Sequence, residues 1–181
     1  MHRSLPQRTP GLARLAVVCL AAAGAAAPAR AQVSSPEASP ASLSVEHEAP
    51  GCVAAEKYAR LSACFRPEQS LARGRVYFRP NGAGDWFYVE MTGQPPCLQG
   101  VLPRPKKDLQ TIEYYVSGMD REFAETRSPE HSVQVTEDGT CPAGAMAPIV
   151  ESSSVLIGSA SGAAPAGFLT GGGLSTGLLL G

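Results

Sequence analysis

Residues 73–91, RGRVYFRPNGAGDWFYVEM, hold two short runs of alternating character around a turn. In the first run Val76 and Phe78 fall on one face of an extended chain and Arg75, Tyr77 and Arg79 on the other, because side chains alternate along a strand. In the second, Phe87 and Val89 oppose Trp86 and Tyr88. Between them Asn81-Gly82 is a pair that tolerates positive φ and favours a hairpin turn. The stretch is therefore expected to be a β-hairpin with one face in a core.

The same grammar extends on both sides. SLSVEHE (42–48), YARLSACF (58–65), LQGVLP (98–103), TIEYYVSGMD (111–120) and HSVQVTE (131–137) join GRVYFRP (74–80) and WFYVEM (86–91) as seven candidate strands. In TIEYYVSG, Ile112, Tyr114 and Val116 share a face, with Glu113 and Tyr115 opposite. Short strands broken by turn residues over about one hundred residues predict one all-β sandwich domain. GCVAAEKYARLSA reads as a turn of helix at 53–57 followed by a strand, since Pro50-Gly51 and Arg66-Pro67 bound it too closely for a full helix.

The flanks differ in kind. MHRSLPQRTPGLAR is basic, LAVVCLAAAGAAA is apolar but shorter than the ~20 residues that span a bilayer, and Ala29-Arg30-Ala31 has the small-x-small form of a cleavage site. Residues 1–31 are thus expected to be an export signal, cut after Ala31. QVSSPEASPASL, within a leader assigned to 32–42, lacks apolar periodicity and is expected to be disordered. The sandwich is placed at 43–141. Residues 142–181 form an Ala/Gly/Ser-rich apolar tail, uncharged from Ser152 onward. In its GGGLSTGLLLG end, Gly173, Gly177 and Gly181 lie four apart, the spacing of close helix contacts in membranes. The tail is read as disordered or membrane-associating, with residues 167–181 as the membrane contact, or as a chain ending inside a longer hydrophobic segment.

Removing the signal removes Cys19 and leaves Cys52, Cys64, Cys97 and Cys141, an even set for an oxidising compartment. Two disulfides are the expectation, with three connectivities open. Fifteen Lys and Arg against sixteen Asp and Glu give a formal net charge of -1, which provides no footprint for nucleic acid. The chain has no serine in a tight glycine turn, no free thiol set beside a histidine and no paired carboxylates with a clear purpose. Neither catalysis nor a cofactor is expected.

Candidate contacts remain. Trp86 and Tyr88 read either as rings packed over a sandwich edge or as a platform for sugars or a partner's apolar patch. Arg104, Lys106 and Lys107 in LPRPKKD read as a solvated loop or a basic contact for acidic polysaccharide or lipid headgroups. His47 and His131, the mature chain's only histidines, sit on strands that could be neighbours, with Glu46, Glu48 and Glu130 nearby. They read either as a divalent metal site or as exposed strand residues in a charged surface; alternation sends adjacent Glu and His side chains to opposite faces, so the second reading is taken and no metal is assigned.

RVYFRP, GDWFYVEM, Leu102-Pro103, IEYYVSGMD and TRSPEHSVQV together resemble an immunoglobulin-like or fibronectin type III-like domain of bacterial envelope proteins. The resemblance implies a seven-stranded immunoglobulin-like sandwich. In that strand order the first strand ends beside the seventh and the second ends where the fifth begins, so the pairing implied is Cys52–Cys141 and Cys64–Cys97. The role it implies is a non-catalytic interaction or structural module of the cell envelope, periplasmic or extracellular, whose partner is an envelope protein or a polysaccharide. A carbohydrate-binding module working through Trp86 and Tyr88 is the alternative.

Overall fold

The computed structural model describes residues 42–80, 84–142, 144–151, 153–162, 164–169 and 175–177. The expected export signal, the leader up to residue 41 and Asn81-Gly82 lie outside these residues. Two β-sheets pack face to face as a sandwich, and the described residues contain no α-helix.

All seven expected strands form: β1 (Ser44–Glu46), β3 (Tyr58–Arg66), β4 (Leu71–Pro80), β5 (Phe87–Glu90), β7 (Cys97–Leu102), β8 (Thr111–Asp120) and β10 (His131–Thr136). The sequence did not signal six others: β2 (Cys52–Ala54), β6 (Thr92–Gln94), β9 (Glu125–Arg127), β11 (Ile149–Val150), β12 (Leu156–Ser159) and β13 (Ser175–Gly177). One sheet runs β1-β3-β7-β6, with β11 also on β3; the other runs β13-β12-β5-β4-β8-β10-β2, with β9 also on β8. The turn of helix expected at 53–57 is not there. Cys52, Val53 and Ala54 are buried and pair in parallel with Gln134, Val135 and Thr136, and the chain turns only afterwards.

Alternation sets the core. Ala59, Leu61, Ala63 and Phe65 of β3, and Leu98 and Leu102 of β7, face Val76 and Phe78 of β4, Phe87 and Val89 of β5, and Ile112, Tyr114 and Val116 of β8. Gly118 continues the inward series of β8 without a side chain, and a Cβ there would lie 2.6 Å from the Phe65 ring. The sheets close on Phe65 because this position is empty.

Both disulfides form as the resemblance implied. Cys64 and Cys97 are directly opposed on β3 and β7, with Cα atoms 3.9 Å apart. Cys52 at the start of β2 joins Cys141, beyond the end of β10, with Cα atoms 5.4 Å apart. Such bridges persist in oxidising compartments.

The expectation for residues 142–181 needs correction: the sandwich does not end at Cys141. The Ala147 N–H donates to the Cys52 carbonyl (2.9 Å) and the Arg60 N–H to the Pro148 carbonyl (2.9 Å), laying this segment along β2 and β3. Ile157, Gly158 and Ser159 pair with Val89, Tyr88 and Phe87, so β12 extends the hairpin sheet. Val155, Ile157 and Phe168 belong to the core, and Phe168 meets Phe78 edge-on at 5.2 Å. Phe168 is 1% exposed and so is not free to enter a membrane. Gly177 lies in β13, paired in parallel with Gly158 rather than in a helix. Gly173 and Gly181 lie outside the described residues. No helix among the described residues is long and apolar enough to cross a membrane.

Two measurements check this architecture. Phe168→Ala should cost about 3–5 kcal/mol in urea unfolding, the usual loss for a buried Phe, whereas a dispensable tail would leave stability unchanged. The bridges close loops of 89 and 33 residues, each contributing about 4 kcal/mol in the chain-entropy model. Reduction should therefore lower the urea midpoint sharply, and peptide mapping of unreduced protein should recover these two pairs.

Candidate functional site

The outer face of β5, β4 and β8 carries aromatic and cationic side chains where a solvent-facing sheet ordinarily carries small polar ones. Register explains the arrangement. Tyr77 lies opposite Tyr88 on one side and Tyr115 on the other, giving a row of three tyrosines across three strands. One residue pair away on either side lie Arg75, paired with Glu90 and Ser117, and Arg79, paired with Glu113.

The rings and guanidiniums interlock. Tyr77 and Tyr115 stack with planes 9° apart and centroids at 4.9 Å, and Tyr88 tilts against Tyr77 at 5.5 Å. Trp86 meets Tyr115 edge-on at 4.9 Å. The Arg75 guanidinium lies 4.1 Å above the Tyr88 ring and that of Arg79 lies 4.3 Å above Trp86; Arg127 of β9 reaches Tyr115 at 5.6 Å. Carboxylates hold the arginines in place: Arg75 Nε donates to Glu90 at 2.8 Å and Arg79 Nε to Glu113 at 2.7 Å. Burial opposes the charge on Arg75, but Glu90 and the Tyr77 hydroxyl more than offset it and hold its pKa above the ordinary value. Burial also pushes the Tyr115 phenol up, with Tyr77 and Glu125 adding to the shift against Arg127. Each half-exposed cation–π contact is worth about 0.5–1 kcal/mol, so the set stiffens the face more than it stabilises the fold.

Trp86 and Tyr88 therefore share a face, as alternation requires, but as members of a larger group. Sequence reasoning had placed Tyr77, Arg75, Arg79 and Tyr115 on outer faces individually. The missing step was the β4–β8 pairing that makes one surface of them. Tyr88 extends across β12 over Gly158, where a Cβ would collide with the phenol ring. Beside it Tyr77, Trp86 and Tyr88 line a groove of about 490 Å³ with Asp85, Ser159 and Ser161.

The basic trio does not join this surface or form one of its own. Arg104 folds over the Tyr58 ring at 5.4 Å, Lys107 faces Glu56 at 3.8 Å and Lys106 is exposed. Their loop is tied to the chain at 167–169 by two backbone bonds, Lys106 N–H to the Gly167 carbonyl and Leu169 N–H to the Arg104 carbonyl.

The histidines are neighbours but not the exposed pair that was expected. His47 and His131 are half-buried, their centroids 5.4 Å apart, with the fully buried Tyr114 at 5.5 and 5.3 Å. Glu46 is drawn toward Arg66 (3.7 Å) instead, and Glu48 and Glu130 are exposed. Tyr114 read as a core residue in the sequence, so its hydroxyl was not considered.

In comparisons with known proteins, no family model matches the chain and no curated protein matches it.

The Gly158–Tyr88 packing gives a direct check on the arginine–aromatic face. Gly158→Ala should destabilise by about 1–3 kcal/mol, as overpacking does. In the Tyr88→Ala background the same change should cost at least about 1 kcal/mol less, a coupling expected only of residues in contact.

Proposed function

We propose that this protein is an exported, non-catalytic interaction module of the cell envelope, periplasmic or extracellular, built on an immunoglobulin-like sandwich. The immunoglobulin-like reading draws support from the way the N-terminal strand changes sheets: β1 pairs antiparallel with β3, whereas β2 runs parallel to β10. Export draws support from the basic, apolar and small-x-small succession of residues 1–31 and from the two disulfides.

The observation that carries the proposal is the arginine–aromatic face. Tyr, Trp and Arg are the residues enriched at protein interfaces and at their energetic centres, and here Trp86, Tyr77, Tyr88, Tyr115, Arg75 and Arg79 form one surface whose side chains are already held by one another. A pre-ordered surface loses little side-chain entropy on binding, which would otherwise cost about 0.5–1.5 kcal/mol per immobilised side chain. The partner favoured is an envelope protein. The polysaccharide alternative draws on the groove, where ring edges, two serine hydroxyls and the Asp85 carboxylate lie together. Against it, arginines cover a face of both Trp86 and Tyr88, the surface a sugar ring would stack on.

Photo-crosslinking in intact cells tests the proposal, with the reactive residue placed at Asp85 or Ser161 beside the face, or at Gln99 on the opposite sheet. Adducts with a defined envelope protein are expected from the first two positions but not from Gln99, reduced at least tenfold by Arg79→Glu. Adducts from Gln99 alone would move the interface to the other sheet. Retention on a polysaccharide that Trp86→Ala abolishes would establish the glycan reading instead.

A further inference from the structure

At one end of the sandwich, away from the arginine–aromatic face, three side chains with metal-binding chemistry converge from three strands. His47 follows β1, Tyr114 comes from the core face of β8, and His131 sits opposite Tyr114 on β10. His47 Nδ1 lies 2.7 Å from the Ser62 carbonyl, which can only accept, so Nδ1 carries the proton. Nε2 is left with its lone pair inward, 2.8 Å from the Tyr114 hydroxyl. A backbone carbonyl fixing the outer nitrogen so that the inner one can donate is the usual support of a metal-ligating histidine. The second histidine adds an independent observation: Nε2 of His131 is enclosed and has no hydrogen-bond partner, a costly state for a buried polar atom.

We propose that His47 Nε2, His131 Nε2 and the Tyr114 phenol oxygen form a binding site for a divalent transition-metal ion, Cu²⁺ in preference to Zn²⁺. The spacing fits. Two donors each about 2.05 Å from an ion and at a right angle to each other stand about 2.9 Å apart, close to the 2.8 Å between His47 and Tyr114. Two imidazoles on one ion have centroids about 4.5–5.5 Å apart, against the 5.4 Å here. A mixed nitrogen and oxygen donor set suits Cu²⁺, which binds most tightly in the divalent series. The described residues gather no group of three His, Cys, Asp or Glu for a metal; the third donor here is a phenol. Binding forms three metal–ligand bonds and breaks the Tyr114 O–H bond, whose proton leaves to solvent. Burial holds His131 below the ordinary imidazole range, with His47 adding to the shift. Burial also pushes the Tyr114 phenol up. A groove of about 440 Å³, lined in part by His47, Ser62 and Met146, opens beside His47.

The test is titration of the full chain with CuCl₂, compared with a His47→Gln/His131→Gln variant that retains every other thiol and histidine. The wild type should take up one more Cu²⁺ per chain than the variant, with imidazole nitrogen splitting in its electron paramagnetic resonance spectrum and a phenolate-to-copper absorption band. Tyr114→Phe should abolish the band and weaken binding at least tenfold. Because a variant can lose its fold, the wild type is also read alone: substoichiometric Cu²⁺ should broaden the ring NMR signals of His47 and His131 before all others. Equal uptake by wild type and a folded double variant, or broadening that spares these two rings, would overturn the proposal.

Discussion

Strand β4 has to be covered on both sides, and the rest of the structure is arranged around that constraint. Val76 and Phe78 are fully buried in the core, while Arg75, Tyr77 and Arg79 on the reverse face are half-buried, their apolar stems packed and their polar ends toward solvent. β8 answers on both faces in the same register, with Tyr114 and Val116 inward and Tyr115 outward. The outer tyrosines pack on one another, the guanidiniums close over the rings, and Glu90 and Glu113 neutralise the guanidiniums. Removing any layer would leave the next exposed or unpaired. The sheet thus behaves as a core with a thin second layer.

The chain crosses between sheets more than once, and one disulfide is placed at such a crossing. β1 lies in one sheet and β2 in the other, with Pro50-Gly51 between them. After β10 the chain returns toward the first sheet, where β11 pairs with β3. Cys52–Cys141 joins the entry to β2 with the exit from β10, locking together two segments that could otherwise peel apart at an edge. Cys64–Cys97 instead joins two inner strands of one sheet, at the end of the β3–β7 ladder. The short edge strand β2 forms few ladder bonds of its own, so covalent closure at Cys52 secures a position that hydrogen bonding secures little.

What could be read from the sequence was whatever alternation encodes. The seven longer strands, the inward set of β4 and β8, and the shared face of Trp86 and Tyr88 all follow from a period of two. The strands that escaped are two to four residues long, too short for alternation to show, as in Thr92–Gln94 or Glu125–Arg127. They exist because a longer neighbour offers free bonding groups, which a local pattern cannot reveal. The tail escaped for a related reason. Absence of charge suggested disorder or lipid, but Val155, Ile157 and Phe168 needed only a vacancy at the sandwich edge, and the size of that vacancy is a tertiary fact. The two candidate surfaces likewise depend on strand order: Tyr77 meets Tyr115, and Tyr114 meets both histidines, only once β8 lies between β4 and β10.

Three consecutive residues of β8 show how closely these demands are coupled. Glu113 holds Arg79 on the outer face, Tyr114 reaches through the core end to His47, and Tyr115 stacks on Tyr77. A one-residue slip of this strand would exchange all three at once, sending a carboxylate into the core and a core tyrosine to solvent. The register of β8 is therefore fixed from two sides by interactions of different kinds, electrostatic and aromatic outside, hydrogen-bonded and apolar inside. The arginine–aromatic face and the histidine–tyrosine cluster thus rest on one strand whose register each helps to hold.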